Sequence, residues 1–414
     1  MRLAVFTSIW PCRVTSYFAR DMQALIEAGI ELDIFAIYPY DPSLWEYVPE
    51  SLSEQVLPRA RVHHIGLGRA LQAVHPWRLL TASGFLRDAA AIGYSGLRCG
   101  PVSLAKTLYV VPLAYAWARD FGRQFDHVLA YWGNYAGTCA YLFHRFAGRH
   151  IPFSLCLHAG IDLYQRPALL RQKLLYADSV ITISQFNRRF LQEHYGDIFA
   201  QIAPKIHVNY RGLDFREFEY RPDHRCPGRV LAAGRLSREK GYDYLLQAVA
   251  ELLNRGVDVE LELIGDGPER AALTALAQRL GITHKVTFRG WLMFNDVRDA
   301  MHRASVFVNP SREDALPTVI EEAMALGIPV VASRVQGAPE LLDDGRCGML
   351  VPPGDVRGLS DAIATLLATP ALRLSYAERA RRHAEQMLDL GRNGARLAEH
   401  LRSTRRSGRR ALRQ

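Results

Sequence analysis

Apolar residues along this chain fall into short β-rich runs separated by longer stretches of helical period. In the first half the runs are Leu3–Thr7, Leu32–Ile37, His127–Tyr131, Phe153–Leu157, Ser179–Ile183 and Ile206–Asn209. A second set follows at Val230–Ala233, Val259–Ile264, Val286–Phe288, Val306–Asn309 and Val330–Ala332. Each run predicts a buried strand. Between them, Tyr244–Leu253 and Glu269–Leu280 repeat Leu, Val and Ala at i, i+3, i+4 and i+7, which marks one face of a helix. Strand–helix alternation predicts parallel sheets in an α/β protein. The two sets part at residues 220–228, a polar stretch with two prolines and a glycine that reads as a linker. The expected division is therefore 1–220, then 229–390, then a helix and basic tail over 391–414. Two doubly wound domains facing each other leave a cleft lined by the carboxyl ends of both sheets, and that is where a ligand is expected.

Residues 66–123 do not fit this pattern. They are apolar yet rich in Arg, with Trp77, Tyr109, Tyr115, Trp117 and Pro112 among them. Two readings stand: a helical insert lying on a membrane or over the cleft mouth, or helices packed on the first sheet. A membrane span is not expected. The longest run free of Asp, Glu, Lys, Arg and His is Val128–Phe143, shorter than the roughly 20 residues needed and interrupted by Gly133, Asn134, Gly137 and Thr138. Met1–Phe6 reads as a first strand and not as a signal peptide, since Pro11 and Arg13 follow at once and no small-residue cleavage site is present. A cytoplasmic location follows as the expectation.

Composition narrows the class. A chain of 414 residues with 49% hydrophobic and 22% charged residues has enough core for two or three domains, and is neither disordered, collagen-like nor a coiled coil. The net charge of +9 is concentrated at the end, where Arg402, Arg405, Arg406, Arg409, Arg410 and Arg413 stand without an acid. Such a tail suits anionic lipid headgroups at the inner face of a membrane, or equally a solvated terminus. No basic-aromatic module accompanies it, so nucleic acid is not an expected partner. The six cysteines (12, 99, 139, 156, 226, 347) show no CxxC pairing, which argues against both a zinc site and a disulfide framework.

Two constellations carry chemistry. Gly234-Arg235-Leu236-Ser237-Arg238-Glu239-Lys240-Gly241 follows a strand and precedes a helix. Backbone N–H groups at a helix start favour an anion, Arg235 offers a two-pronged donor and Lys240 a point charge. A diphosphate gaining charge as its bond breaks suits that set, while a charged surface turn is the plain alternative. The second runs from Asn309 to Ala325, with Glu313, Asp314, Ala315, Leu316, Pro317 and Thr318 on the way into a helix that carries Glu321 and Glu322. A carboxylate accepts two hydroxyl protons, which suits vicinal diols of ribose or hexose; acids near a helix start are also stabilised by its dipole. Gly265-Asp266-Gly267-Pro268 reads as a tight turn, and Gly337, Glu340, Gly345 and Gly348 mark further loops.

The ordered segments AAGRLSREKG, LIGDGPER, VTFRGW, VFVNPSREDALPTVIEEAMALGIPVVAS and GAPELLDDGRCGMLVPPGD, over about residues 229–360, resemble the family 4 glycosyltransferases of the GT-B fold. Those are retaining enzymes that use nucleotide-sugars. The resemblance implies two Rossmann-like domains, and donor diphosphate held by Gly234, Arg235 and Lys240. It implies that the two acids of the family's E-x7-E motif bind the donor sugar and ribose. Glu313 and Glu321 fit the spacing formally, but anchoring on the Ala-Met-Ala and on Pro317 points to Asp314 and Glu322. Glu313, Ala315, Leu316, Pro317 and Thr318 then line the donor. In the first half, IPFSLCLHAGIDLY is similar to the family's H-x-x-D loop, giving His158 and Asp162, with His158 near the transferring sugar. The segments around Ser184, Asn187, Gly212 and Asp214 are similar to the family's next two. SIWPCRVTSYFARDMQALIEAG is similar to a subgroup acting on exopolysaccharides, yet Val14-Thr15-Ser16-Tyr17 replaces its usual Ser-Glu-Thr-Phe, so acceptor identity does not carry over.

By this resemblance the catalytic group is His158, Arg235, Lys240 and Asp314. The expected reaction moves a hexose from a nucleotide-sugar to a saccharide or lipid-linked saccharide. No Asp-x-Asp is present, and the basic pair can replace a metal, so neither metal nor cofactor is expected. A sugar-nucleotide epimerase and a non-catalytic nucleotide-sugar-binding partner are the alternatives. A nicotinamide dehydrogenase is disfavoured because the turn Ser8-Ile9-Trp10-Pro11 has no glycine cluster.

Overall fold

The computed structural model describes residues 1–12, 16–48, 52–74, 89–94, 100–148, 150–165, 167–223 and 225–404. The chain divides into two compact units, residues 1–212 with 390–414, and residues 213–389. Among the described residues the first unit holds seven parallel strands: β1 (Arg2–Thr7), β2 (Glu31–Ala36), β3 (Val62–His63), β4 (His127–Ala130), β5 (Phe153–Leu157), β6 (Ser179–Thr182) and β7 (Ile206–Val208). Their order is β3-β2-β1-β4-β5-β6-β7. The second unit holds six: β8 (Arg229–Ala233), β9 (Glu260–Ile264), β10 (Val286–Gly290), β11 (Val306–Asn309), β12 (Val330–Ser333) and β13 (Met349–Val351), in the order β10-β9-β8-β11-β12-β13. Both are doubly wound sheets that reverse direction beside their first strand, between β1 and β4 and between β8 and β11. The α/β class and the two Rossmann-like domains expected from the sequence are what the chain forms.

Every predicted run meets a strand. β3 and β13 were not predicted, because two and three residues at a sheet edge are too few to show a period. The described part of residues 66–123 resolves toward packing. Helix Pro101–Phe121 turns Val110, Leu113, Ala114 and Trp117 into the core beside Phe6 and Phe35, whose rings stack at 4.8 Å. Trp77 and most of the arginine tail lie outside the described residues.

The polar stretch 220–228 is docked on the second unit. Arg225 donates to the carbonyls of His302 (2.8 Å) and Gly327 (2.8 Å), capping the ends of two helices, and the Cys226 N–H donates to the Arg303 carbonyl. An arginine fork satisfying orphan helix carbonyls looks like linker in sequence and acts as an anchor in the fold. The last helix, Leu390–Ser403, belongs with the first unit and buries Leu397, Ala398 and Leu401 against the side of the sheet that holds Met22 and Leu25.

This docking site is rich in histidine. Ser179 Oγ lies 2.6 Å from His400 Nε2, the His207 and His400 rings stack at 4.0 Å, and His127 Nε2 meets Ser154 Oγ at 2.8 Å. Burial holds both His127 and His207 down to about 4. In the unfolded chain each takes its proton near pH 6.5. The unfolded state therefore binds more protons between pH 6.5 and 4, and stability is lost as pH falls through that window. His127 alone accounts for on the order of 3 kcal/mol. Urea unfolding at pH 7 and pH 4.5 is expected to show the loss, and His127→Gln to reduce it. An unchanged pH slope in that variant would show that another group is responsible.

Candidate functional site

The strand reversal in the second unit sets the loops after β8 and β11 side by side. Backbone bonds hold the first of them to the turn after β9. Gly234 N–H donates to Ile264 O (2.9 Å), Leu236 N–H to Asp266 O (2.9 Å) and Glu269 N–H to Leu236 O (2.9 Å). At Gly265, with φ +125°, an added Cβ would stand 2.0 Å from the Gly234 carbonyl oxygen, so the two turns meet backbone to backbone. A similar approach joins β8 and β11: Gly241 has φ +66°, and its Cβ would stand 2.1 Å from the Pro310 carbonyl oxygen.

This junction brings Lys240 to Asp314. Lys240 Nζ donates to Asp314 Oδ2 at 2.6 Å, with the two side chains only 24% and 12% exposed, and the Ser311 hydroxyl donates to the same oxygen at 3.3 Å. The Arg235 guanidinium is exposed and has no hydrogen-bond or ion-pair partner among the described residues. Glu239 precedes Lys240 in the same loop. Partial burial works against its charge, but the Ser237 hydroxyl at 2.6 Å, with Lys240 and Arg235, holds the carboxyl below its ordinary value. Burial pushes the Tyr242 phenol up, and the carboxylates of Asp314 and Glu239 add to this.

Arg312 was not singled out from the sequence. Its guanidinium grips both oxygens of Asp243 (2.8 and 2.7 Å), lies 4.0 Å from the Tyr244 ring centroid, and bonds the Arg238 carbonyl. The Arg312 N–H donates to Glu239 O at 2.7 Å. Arg312 thus straps the loop after β11 onto the start of helix Tyr242–Asn254. No local signal marks it, because its partner lies 69 residues earlier in the chain.

The remaining sequence candidates are distributed unevenly. The Gly234, Lys240 and Gly241 amides are already bonded to backbone carbonyls. Open amides stand instead at the start of helix Thr318–Ala325, where the Thr318 and Val319 N–H groups precede the first intrahelical bond. Ala315, Leu316 and Pro317 are buried and shape the loop into that helix. Of the acids, Glu313 is exposed, Asp314 faces Lys240, Glu321 is fully buried and Glu322 is 9% exposed. The second unit therefore combines a free guanidinium, a braced ammonium–carboxylate pair and open helix amides around one strand reversal. That set suits a phosphate-bearing ligand.

His158 belongs to the first unit, just past β5. Its ring lies 4.6 Å from Tyr131 and 4.5 Å from Trp132 and is 2% exposed. Asp162 accepts the N–H of His158 (2.8 Å) and of Ala159 (2.6 Å), so it staples the loop, while its carboxylate stays 3.6 Å from the ring Nδ1. Tyr131 donates to Asp21 at 2.5 Å, and burial pushes that carboxyl up despite the bond. Behind this loop Lys173 is fully buried. Its ammonium donates to Gly133 O (2.5 Å), Asn134 O (3.2 Å) and Thr138 Oγ1 (3.0 Å), and burial pushes it down to about 7.

Known proteins resemble this chain in sequence and fold. Residues 227–369 match the domain family described as glycosyl transferases group 1. WcaL of Escherichia coli, named as a glycosyltransferase of colanic acid biosynthesis, is 30% identical over 390 residues, covering 88% of this chain and 90% of WcaL. The alpha-D-kanosaminyltransferase of Streptomyces kanamyceticus is 38% identical over 151 residues, 36% of this chain, so the match spans about two fifths (39%) of that relative's length. Among solved structures, Anabaena HepE in complex with UDP superposes with a TM-score of 0.70 at 19% identity, over 97% of this chain and 99% of HepE.

Proposed function

Because this chain belongs to the group 1 glycosyltransferase family, we propose that it transfers a hexose, with retention, from a nucleotide-diphosphate sugar to a saccharide or lipid-linked saccharide of a cell-surface polysaccharide. The observation that carries the proposal is the junction of the loops after β8 and β11, where Arg235 is free and Asp314 braces Lys240 at 2.6 Å. Departure of a nucleoside diphosphate leaves negative charge on its outer phosphate. Preset cations stabilise that charge in the transition state more than in the ground state. Arg235 meets the diphosphate with two parallel donors, and Lys240 turns from Asp314 toward it. The Thr318 and Val319 amides add donors from the helix start. Asp314, released from Lys240, and Glu322 accept hydroxyls of the donor.

The fold likeness to a protein solved with UDP makes UDP-sugars the first donors to try. The likeness to WcaL, named for colanic acid biosynthesis, supports a saccharide acceptor. With Arg235 and Lys240 supplying the positive charge, turnover needs no divalent metal. No helix among the described residues is long and apolar enough to cross a membrane. In this proposal a lipid-linked acceptor is met at an anionic membrane surface, which the arginine tail suits.

A thermal-shift panel of UDP, GDP, ADP and CMP sugars, run with EDTA, tests the proposal. A shift with one nucleotide class, undiminished by EDTA, is the expected result. No shift with any donor would overturn donor binding and with it the transferase reading. A shift that appears only when a divalent metal is restored would overturn metal independence.

A further inference from the structure

Cys347 stands just ahead of β13, at the amino ends of the second parallel sheet. The loops that carry Arg235 and Asp314 follow β8 and β11, and so lie at the carboxyl ends of the same sheet. At the amino end, Asp343 and Cys347 share one tight turn. The Gly345 and Cys347 N–H groups both donate to Leu342 O at 3.0 Å, and the Arg346 N–H donates to Asp343 O at 3.1 Å. Helix Pro370–Met387 brings His383 to this turn. One donor atom from each of Asp343, Cys347 and His383 then falls in a group whose members all lie within 4.8 Å of one another.

The fold leaves these atoms without partners. Cys347 is a free cysteine, 3% exposed, with no hydrogen bond among the described residues. His383 Nε2 is buried and has no hydrogen-bond partner either, a cost unless some group meets it. Asp343 gives Oδ1 to Arg346 at 2.9 Å, and its Oδ2 has no hydrogen-bond partner among the described residues. The nearby cations face outward: the Arg346 side chain is 76% exposed, and Arg379 is exposed over the Tyr376 ring. A thiol, an imidazole and a carboxylate together suit a borderline-soft transition metal and not magnesium or calcium, which prefer oxygen alone. Tetrahedral zinc holds such donors roughly 3.4–3.6 Å apart, so the three side chains need to close by little more than about 1 Å. The thiolate is the ligand, so binding releases the thiol proton.

We infer that Asp343, Cys347 and His383 bind one divalent ion of the zinc class, with water in the fourth position. The ion ties helix Pro370–Met387 to the turn before β13. With three protein donors and one open position it is exchangeable, unlike the ion of a closed four-ligand site. The site is independent of the donor reading. It lies at the opposite end of the sheet and supplies no charge to a diphosphate, so turnover still needs no metal. No CxxC marks it in the sequence, because its ligands come from a turn and a helix that meet only in the fold.

The test uses the full chain, stripped with EDTA, dialysed, and titrated with cobalt chloride or zinc chloride. A single equivalent of cobalt is expected to produce thiolate-to-cobalt charge-transfer absorption, and zinc to displace it. Zinc at about 100 times its Kd is expected to raise the melting temperature by about 5 °C. Cys347→Ser is expected to abolish the absorption. His383→Gln is expected to weaken cobalt binding by about 100-fold or more, and Asp343→Asn by about 10-fold. A cooperative melt in metal-free buffer identifies the variants that fold. Absence of the absorption in the wild-type chain would overturn the inference, as would its survival in folded Cys347→Ser. Asp343→Asn keeps the buried thiol and imidazole, so it decides where Cys347→Ser does not fold: unchanged cobalt affinity in it overturns the inference. A melting temperature unmoved by zinc overturns it too.

Discussion

Arg235→Ala is expected to lower turnover by about 10²-fold or more while leaving the melting temperature nearly unchanged. The guanidinium is exposed and has no partner among the described residues, so its removal uncovers no buried group. Its effect belongs to the transition state, in which the departing diphosphate gains charge. Lys240→Ala is expected to reduce turnover as much, but with a different signature. It leaves the Asp314 carboxylate, 12% exposed, without its cation, so stability falls as well. Arg235→Lys should recover only part of the loss, because an ammonium cannot present two parallel donors. Steady-state turnover with the donor found by thermal shift, set beside the melting temperature of each variant, separates the two effects. Near-normal turnover in both alanine variants would remove the diphosphate from this junction.

Lys173→Met is expected to destabilise the first unit by about 2–4 kcal/mol near pH 7. Methionine nearly matches the volume but donates nothing, so the Gly133 and Asn134 carbonyls and the Thr138 hydroxyl lose a buried partner. An unsatisfied buried acceptor costs about 1–3 kcal/mol, and relief of the desolvated charge offsets part of the sum. The pH dependence identifies the cause. Burial pushes Lys173 down to about 7 in the folded chain, whereas in the unfolded chain it keeps its proton to about pH 10.4. Between those values the unfolded state holds more protons, so Lys173 makes the wild-type chain gain stability as pH rises, and the methionine variant lacks that gain. Chemical denaturation of both proteins at pH 7 and pH 9 measures the difference. Parallel changes with pH would show that Lys173 does not carry the buried charge.

Most interior strands were legible because they are largely buried on both faces and hold a short apolar run, such as Val306–Val308 in β11. β3 and β13 escaped because edge strands of two and three residues leave no such run. Residues 220–228 read as a linker in the sequence. Prolines and charges look alike whether a segment is free or fastened, and only the approach of two helix ends shows that Arg225 is fastened. The segment around 66–123 gave no decision between packing inward and facing a lipid surface. Its long helix does turn Trp117 to the core, while Val102 and Leu108 remain outside.

At the candidate site, Arg235 and Lys240 were visible because a turn between strand and helix is a local pattern. The acids were visible only as a choice of register. In the fold, Lys240 selects Asp314 across 74 residues of sequence, while Glu313 next to it stays exposed. By itself the sequence determined the order of strands and helices, the two-sheet class and the family to which the chain belongs, since periodicity and turn chemistry act between near neighbours. Only the tertiary structure decided which amides remain open, which carboxylate braces Lys240, that Arg312 straps its loop to Asp243, and that Lys173 is buried on neutral acceptors. Those are pairings between residues far apart in the chain, and they exist only once the sheets have brought their loops together.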